Sequence, residues 1–370
     1  MDRIRVALFG TSFARNVQAV AFARHPGFEL VAIAGSQADK TRRIASELGI
    51  PAAYADWREL LERESPELVS IVTPVDLHHP MMLDAIARGA HVLCEKPTAM
   101  HRLQAAEMRD RAAAAGRVAA INHEFRFFPA RRAALELVRR GGIGTPRRGE
   151  ILGRYPIWPT PASRPFNWLA RAERGGGILG ALGSHHTDCL RLFFGEPRAA
   201  LATLRTRQPR RGPTADDART GLATSDDGFT AQYEFEHGAS ALIDLDGATP
   251  YRWERFEIHG SEASLRWDET GYRLWRIAPG KEPEEVEIAS EFQLAPRAGE
   301  PALVAPFGVM VERLHAAIRG GAPMSPDFDD AVAVQAALDA CRASSVAQTR
   351  VAIERTAGAR AATPLAIAAG

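Results

Sequence analysis

The apolar positions in the first third of the chain fall into short runs separated by helix-like stretches. Ile4 to Phe9 is one such run and stops at Gly10, and Ser12 to Arg24 then carries Val17, Val20, Ala21 and Phe22 with helical character. Phe28 to Ala34 repeats the strand pattern, and a helix follows from Asp39 to Leu48. Leu68 to Val72, Met81 to Ala87, His91 to Cys94, a helix from His101 to Ala115, and Val118 to Ile121 continue the alternation. Strands alternating with helices predict an α/β domain on a doubly wound parallel sheet over residues 1–121. Ligands of such a sheet bind beyond the carboxyl ends of its strands, where the strand order reverses. Gly10, Thr73-Pro74 and Glu95-Lys96-Pro97 all fall at those ends.

After Asn122 the pattern changes. Arg147 to Tyr155, Ala200 to Arg205, Phe229 to Phe235, Ser240 to Leu245, Arg255 to His259 and Ser264 to Trp267 read as strands, several of them alternating, with few helices between. This predicts a second, α+β domain over residues 122–355, built on a large, mostly antiparallel sheet. The polar, breaker-rich stretch Arg210 to Asp227 reads as a mobile loop, and the Ala-rich stretch Thr356 to Gly370 as a tail without a core role.

Composition narrows the partners. The 370 residues are 46% hydrophobic and 25% charged, ordinary for a soluble globular chain with two cores. A formal net charge of +1 without a long basic block argues against nucleic acid or an anionic membrane and points to small molecules. No stretch approaches the roughly 20 apolar residues of a membrane span, and Val6 to Phe9 is too short for the apolar region of a signal peptide. Cys94, Cys189 and Cys341 are widely separated and odd in number, which suits reduced thiols in the cytoplasm.

Only Lys40, Lys96 and Lys281 among the 46 basic residues are lysines. Guanidinium cannot be deprotonated in a protein, whereas an ammonium is compact and can lower its pKa when desolvated. A lysine kept at a strand end, Lys96, is therefore a catalytic candidate, against the alternative of a surface lysine in a turn. Pro97 behind it, in a tight strand-to-helix turn, predicts a cis peptide bond. Gly10-Thr11-Ser12-Phe13-Ala14-Arg15 keeps only the first glycine of the Gly-x-Gly-x-x-Gly fingerprint. Ser12 still lets backbone near a pyrophosphate, and the helix start supplies amides and dipole, although an ordinary turn would look the same. At the end of the second strand stands Gly35-Ser36-Gln37 in place of an acid. Lys40, Arg42 and Arg43 follow, which favours the extra phosphate of NADP, with NAD possible, unless these cations merely decorate a solvated helix. In Gly175 to Asp188, three consecutive glycines permit close backbone approaches, and His185 and Asp188 can share a helix face. His185 could exchange a proton near neutral pH, or could simply be a capping or core histidine. The pairs His78-His79 and His185-His186 invite a zinc reading, but adjacent residues diverge and no known metal spacing occurs, so no metal is assigned.

With these stretches in view the chain resembles, over nearly its whole length, the Gfo/Idh/MocA oxidoreductases, the family of glucose-fructose oxidoreductase and inositol dehydrogenase. Gly10 to Ala14 is similar to that family's cofactor turn, Thr73-Pro74 with His78 to its second cofactor loop, Glu95-Lys96-Pro97 to its signature triplet, and Gly175 to Asp188 to its substrate segment. Phe328-Asp329-Asp330 with the helix Ala331 to Ser344 is similar to its closing helix. The resemblance implies an N-terminal Rossmann domain and a C-terminal open-faced sheet that assembles a homodimer or homotetramer. It also implies a hydride exchanged between NADP or NAD and a sugar, inositol or related polyol.

Carried over residue by residue, the resemblance makes Lys96 the hydrogen-bond donor to the reacting oxygen and His185 the acid/base group. Gly10, Thr11, Ser12, Phe13, Ala14, Ser36, Lys40, Arg43, Thr73 and Pro74 would hold the dinucleotide, with His78, Glu95 and Lys96 at the nicotinamide end. Arg126, Trp168 and Asp188 would contact substrate. Two departures matter: Ala181 stands where the family commonly has an aspartate, and Ser12 where it has a glycine. A chain lacking that aspartate could instead be a dinucleotide-binding sensor or regulator, and metal-dependent hydrolysis is a third reading.

Overall fold

The computed structural model describes residues 2–355 apart from 215, 216, 218, 269, 295 and 296, so the Ala-rich tail lies outside the described residues. The described residues divide into two compact units, one of those up to Glu124 together with Leu294–Val332, the other of Phe125–Gln293 and those from Ala333 to residue 355. The division differs from a break at residue 121, because the segment 294–332 returns to the first unit.

In the first unit, β1 (Ile4–Phe9), β2 (Phe28–Ala34), β3 (Ala52–Tyr54), β4 (Leu68–Ile71), β5 (His91–Cys94) and β6 (Ala119–Ile121) form one sheet in the order β3-β2-β1-β4-β5-β6. All its pairings are parallel. The strands β1, β4 and β5 are buried almost end to end, as expected of strands covered on both faces. The order reverses between β1 and β4, the point at which sheets of this kind bind ligands beyond the carboxyl ends of their strands. The helices are α1 (Ala19–Arg24), α2 (Ala38–Leu48), α3 (Trp57–Glu64), α4 (His78–Ala87) and α5 (Arg102–Ala114). The sequence pattern did not single out α3, because only Leu60 and Leu61 of its eight residues are buried.

In the second unit come α6 (Pro129–Arg139), β7 (Pro146–Pro156), α7 (Ser184–Phe194), β8 (Pro197–Arg205) and a two-stranded ribbon of β9 (Arg210–Arg211) with β10 (Gly221–Leu222). They are followed by β11 (Gly228–Phe235), β12 (Ser240–Asp246), β13 (Ala248–Gly260), β14 (Ser264–Trp267), β15 (Leu274–Ile277) and β16 (Glu284–Glu285). The returning segment then supplies α8 (Val304–Gly320) to the first unit, where Phe307 meets Phe22 of α1 edge to face at 5.8 Å. Last come α9 (Phe328–Ala347), within which the two units divide, and β17 (Val351–Ala352).

The large sheet runs β16-β15-β14-β13-β7-β12-β11-β8-β17. The pair β7–β12 is parallel and every other neighbour antiparallel, in keeping with the mostly antiparallel sheet expected. Alternate residues, such as Ala241, Ile243 and Leu245, enter the core beside residues of α6, α7 and α9, while Leu242 and Asp244 face the other way.

The stretch Arg210 to Asp227 is not the solvated loop its composition suggests, at least at its ends. The Arg211 guanidinium lies 3.8 Å over the Trp158 ring and 3.3 Å from the Asp227 carboxylate, with both charges fully buried. Asp227 also accepts the amides of Arg207 and Gln208 at 2.8 and 2.7 Å. Charges that satisfy one another read as solvent-loving in a sequence and as core in a fold.

Candidate functional site

At the end of β1 the backbone leaves Gly10 with φ of +119°, and a Cβ there would stand 2.2 Å from the Val72 carbonyl oxygen. Only glycine fits this approach. The amide of Gly10 donates to Ala34 O at 2.8 Å and that of Val72 to Phe9 O at 2.7 Å, which fixes the ends of β1, β2 and β4 together. The chain then enters a π-helical turn, Ala14–Gln18, that continues as α1. Ser12 is exposed, Thr11 and Phe13 are half-buried and Ala14 is buried. An open backbone ahead of a helix entrance is what a phosphate-bearing cofactor requires, so these residues fit a dinucleotide. At the end of β2, the Thr41 hydroxyl donates to the carbonyls of Gly35 and Gln37 at 3.1 and 2.8 Å. Ser36 and Arg43 are exposed and Lys40 is half-buried. Arg42 is paired with Asp39, whereas Lys40 and Arg43 have no ion-pair partner among the described residues.

At the end of β5, the Lys96–Pro97 bond is cis, as its turn predicted. Glu95 is buried, and its Oε1 accepts from Gln18 Nε2 at 2.9 Å and from Asn122 Nδ2 at 2.6 Å. Gln18 Oε1 in turn accepts from the Ser70 hydroxyl at 2.5 Å. The backbone amide of Lys96 lies 3.4 Å from Glu95 Oε2. Burial pushes the Glu95 carboxyl above its ordinary range, while the Lys96 charge and the amide donors pull it back. Lys96 itself is partly exposed.

His78 is 1% exposed, with Nε2 2.9 Å from Thr73 O and Nδ1 3.1 Å from Pro97 O and 3.2 Å from Thr98 O. Burial depresses its pKa against the pull of these carbonyls. The ring ties the Thr73-Pro74 loop to the Pro97-Thr98 turn. Held between these two segments, His78 fixes the loop and the turn that the resemblance places at the nicotinamide end.

In the second unit the triple glycine marks two close approaches. A Cβ on Gly176 would lie 2.5 Å from the carbonyl oxygens of Trp168 and Leu169, and one on Gly177, where φ is +115°, 2.1 Å from Asp226 Oδ1. The glycines thus seat the turn Trp168–Ala170, with Trp168 half-buried, beside the π-helical turn Leu179–Gly183 that leads into α7. Asp226 accepts the Leu179 amide at 2.8 Å, and burial pushes its carboxyl up to about 6 despite that amide.

On α7, His185 is buried and stacks face to face on Phe125, ring centroids 3.8 Å apart. His186 points elsewhere, toward Phe256, and burial with the nearby Arg131 guanidinium holds its pKa well below the ordinary value. Asp188 is 1% exposed and accepts from Arg126 Nε and Nη2, both at 2.5 Å, with Arg191 Nη1 at 3.5 Å. Arg191 forks onto Glu196 at 2.8 and 2.5 Å. Asp188, expected with Arg126 at the substrate, is thus bonded to the Arg126 guanidinium itself.

Sequence reasoning missed Gln18, Ser70, Asn122 and Asp226. The signal was a polar residue inside or just beyond an apolar run, since Gln18 sits among Val17, Ala19 and Ala21, and Ser70 between Val69 and Ile71. Neither histidine pair belongs to a metal-binding group among the described residues. The group that does occur, Glu150, Glu257 and His259, shares its carboxylates with Arg148 and Arg255 at 2.7 to 3.9 Å, which reads as an ion-pair lattice on the large sheet.

Two family models match the chain. The Gfo/Idh/MocA oxidoreductase family's NAD-binding Rossmann fold matches residues 4–123, and its C-terminal alpha/beta domain matches residues 136–353. Among curated relatives, 1,5-anhydro-D-fructose reductase of Ensifer adhaerens is 29% identical over 70% of this chain and 74% of its own length. Among solved structures, an oxidoreductase domain protein from Kribbella flavida superposes with a TM-score of 0.86 at 26% identity, over 96% of this chain and 100% of its own. Levoglucosan dehydrogenase, in complex with NADH and levoglucosan, shares the fold with a TM-score of 0.86 at 23% identity over the same shares. No described helix is long and apolar enough to cross a membrane.

The Asp226 carboxyl titrates higher in the folded chain than its ordinary 3.8, so the proton stabilises the fold. That contribution is complete below pH about 4 and is lost as pH rises through about 6. Asparagine has no such proton to lose. Relative to the parent, Asp226→Asn is expected to gain on the order of 3 kcal/mol between pH 4 and pH 7 in urea unfolding. A difference between variant and parent that stays constant across this range would show that the carboxyl titrates normally.

Proposed function

The chain belongs to the Gfo/Idh/MocA family of oxidoreductases, and from that premise we propose that its reaction interconverts a hydroxyl and a keto group on a sugar or related polyol, with NADP as the preferred carrier. The family and the named relatives make it a nicotinamide-dependent oxidoreductase acting on such groups, and favour turnover over sensing. The observation that carries the residue roles is Lys96 beside a buried carboxylate at the carboxyl end of β5. A sensor has no need of such a pair.

The nicotinamide, when bound, supplies or takes the hydride. A ketone being reduced develops negative charge on oxygen, which the Lys96 ammonium stabilises. His185 gives that oxygen its proton, and takes one in the reverse direction. With Ala181 in place of a carboxylate the proton passes through His185 alone. Arg126, oriented by Asp188, offers donors to the hydroxyls of the substrate, and Trp168 offers an apolar face. Thr73 and Pro74 line the cofactor's crevice, held in place by His78.

Outward-facing residues of the large sheet form charge pairs such as Arg148–Glu150 and Arg154–Asp244, both at 2.7 Å, beside the exposed apolar Leu201 and Trp253. A second copy of the chain on this face would make a homodimer or homotetramer.

Turnover is expected from at least one member of a panel of sugars, inositols and their keto forms, followed by nicotinamide absorbance. Lys96→Ala should lower it by on the order of a hundredfold or more, the scale of losing one charge-stabilising donor, with dinucleotide binding kept. Unchanged turnover would remove Lys96 from the mechanism. NADPH should bind more tightly than NADH, because exposed Ser36 and Arg43 and half-buried Lys40 can give a phosphate charge-assisted hydrogen bonds of about 1.5 to 3 kcal/mol each before desolvation. Equal affinities in a fluorescence titration, or a preference for NADH, would sink this. Sedimentation should show a dimer or tetramer, and a monomer at micromolar concentration would rule out assembly through the sheet.

A further inference from the structure

Within the first unit, a line of buried polar side chains crosses the sheet beneath Lys96. Ser70 of β4 donates to Gln18 Oε1, Gln18 Nε2 donates to Glu95 Oε1, and Asn122, just past β6, donates to the same oxygen. Ser70, Gln18 and Asn122 are all fully buried. Polar groups so placed cost stability unless they are bonded, and nothing in the packing of an apolar strand calls for Ser70.

The donor order has a chemical meaning. A hydroxyl donating to Gln18 Oε1 leaves the NH2 end of that amide facing Glu95, and the NH2 of Asn122 faces it too. Two NH2 groups converging on one oxygen suit a carboxylate without a proton; its other oxygen, Oε2, lies 3.4 Å from the Lys96 backbone amide, and the Lys96 charge is close enough to pull on the carboxyl. The wide π-helical turn Ala14–Gln18 is what delivers Gln18 to the sheet at this point.

We propose that Gln18, Ser70 and Asn122 are positioning residues, which hold the Glu95 carboxylate ionised and turned toward Lys96 so that the ammonium keeps its charge and its place. The proposal rests on the reading of Lys96 as the charge-stabilising group. Burial alone would drive Glu95 toward its protonated form, and the donors oppose this. Among the described residues, the titratable groups seen to act on or respond to Glu95 are Lys96 and the buried Cys94 thiol, which burial and Glu95 both push up. Of these, only Lys96 favours the carboxylate, and the buried thiol does not.

The test uses the full chain and needs no substrate, because with only three lysines each can be followed separately. Trace labelling with acetic anhydride at pH 8, read by mass spectrometry, reports how readily each ammonium gives up its proton. In Gln18→Met, Lys96 should label faster by roughly tenfold relative to Lys40 and Lys281, the scale of one hydrogen bond to a charged group. Ser70→Ala frees the Gln18 amide to turn and should act in the same direction with a smaller effect, and it carries the test alone if Gln18→Met does not fold. Lys96 labelling that stays level with the other two lysines in the folded variants, or all three rising together, would overturn the proposal in favour of a merely structural network. Loss of the catalytic reading would show elsewhere, as undiminished turnover in Lys96→Ala.

Discussion

A carboxylate taken out of water has to be given donors, and at Glu95 they come from places far apart in the sequence. Gln18 stands at the start of α1 and Asn122 just beyond β6, while Ser70 of β4 steadies Gln18. The charge can stay buried only while the ends of these elements keep their register. The sheet order provides this, since β4 and β5 are neighbours and β6 lies next to β5. The glycine at position 10 lets the turn after β1 come against Val72. Lys96 follows Glu95 directly, and its backbone amide lies 3.4 Å from the same carboxylate.

The second unit handles the same problem at both ends of one helical segment. Asp226 takes the amide of Leu179 where the π-helical turn begins, and Asp188 further along α7 is gripped by Arg126 and Arg191. Between them lie Ala181 and His185, so the acid/base candidate sits on a segment anchored by two buried carboxylates of different character. The first is made reluctant to ionise by burial, and the second is held by bidentate guanidinium bonds. Gly176 and Gly177 are small because backbone and carboxylate atoms occupy the space side chains would need.

Much of this was legible in the residues. The alternation from Ile4 to Ile121 reflects strands buried on both faces, and Lys96-Pro97 stood out because lysine is rare in this chain. The helices α3, α6 and α8 and the strands β3, β15 and β16 were among the elements missed. In α6 arginines interrupt the apolar stripe, and Arg131 is buried nonetheless. The return of residues 294–332 to the first unit was also invisible, because the apolar face of α8 does not say which core it will join.

By itself the sequence determined what depends on local chemistry: the strand and helix periods, the glycines that backbone approach demands, a proline turn behind Lys96, and the residue types a hydride-transfer site uses. Only the tertiary structure decided which polar groups are buried and which partners they take. His78 and Asp188, singled out in the sequence, are buried and bonded within the protein, and Gln18, Ser70, Asn122 and Asp226, which the sequence did not single out, are buried and bonded too. The physical reason is that a polar side chain's role follows from its burial and from partners up to 77 residues away, and neither is carried by its neighbours in the chain.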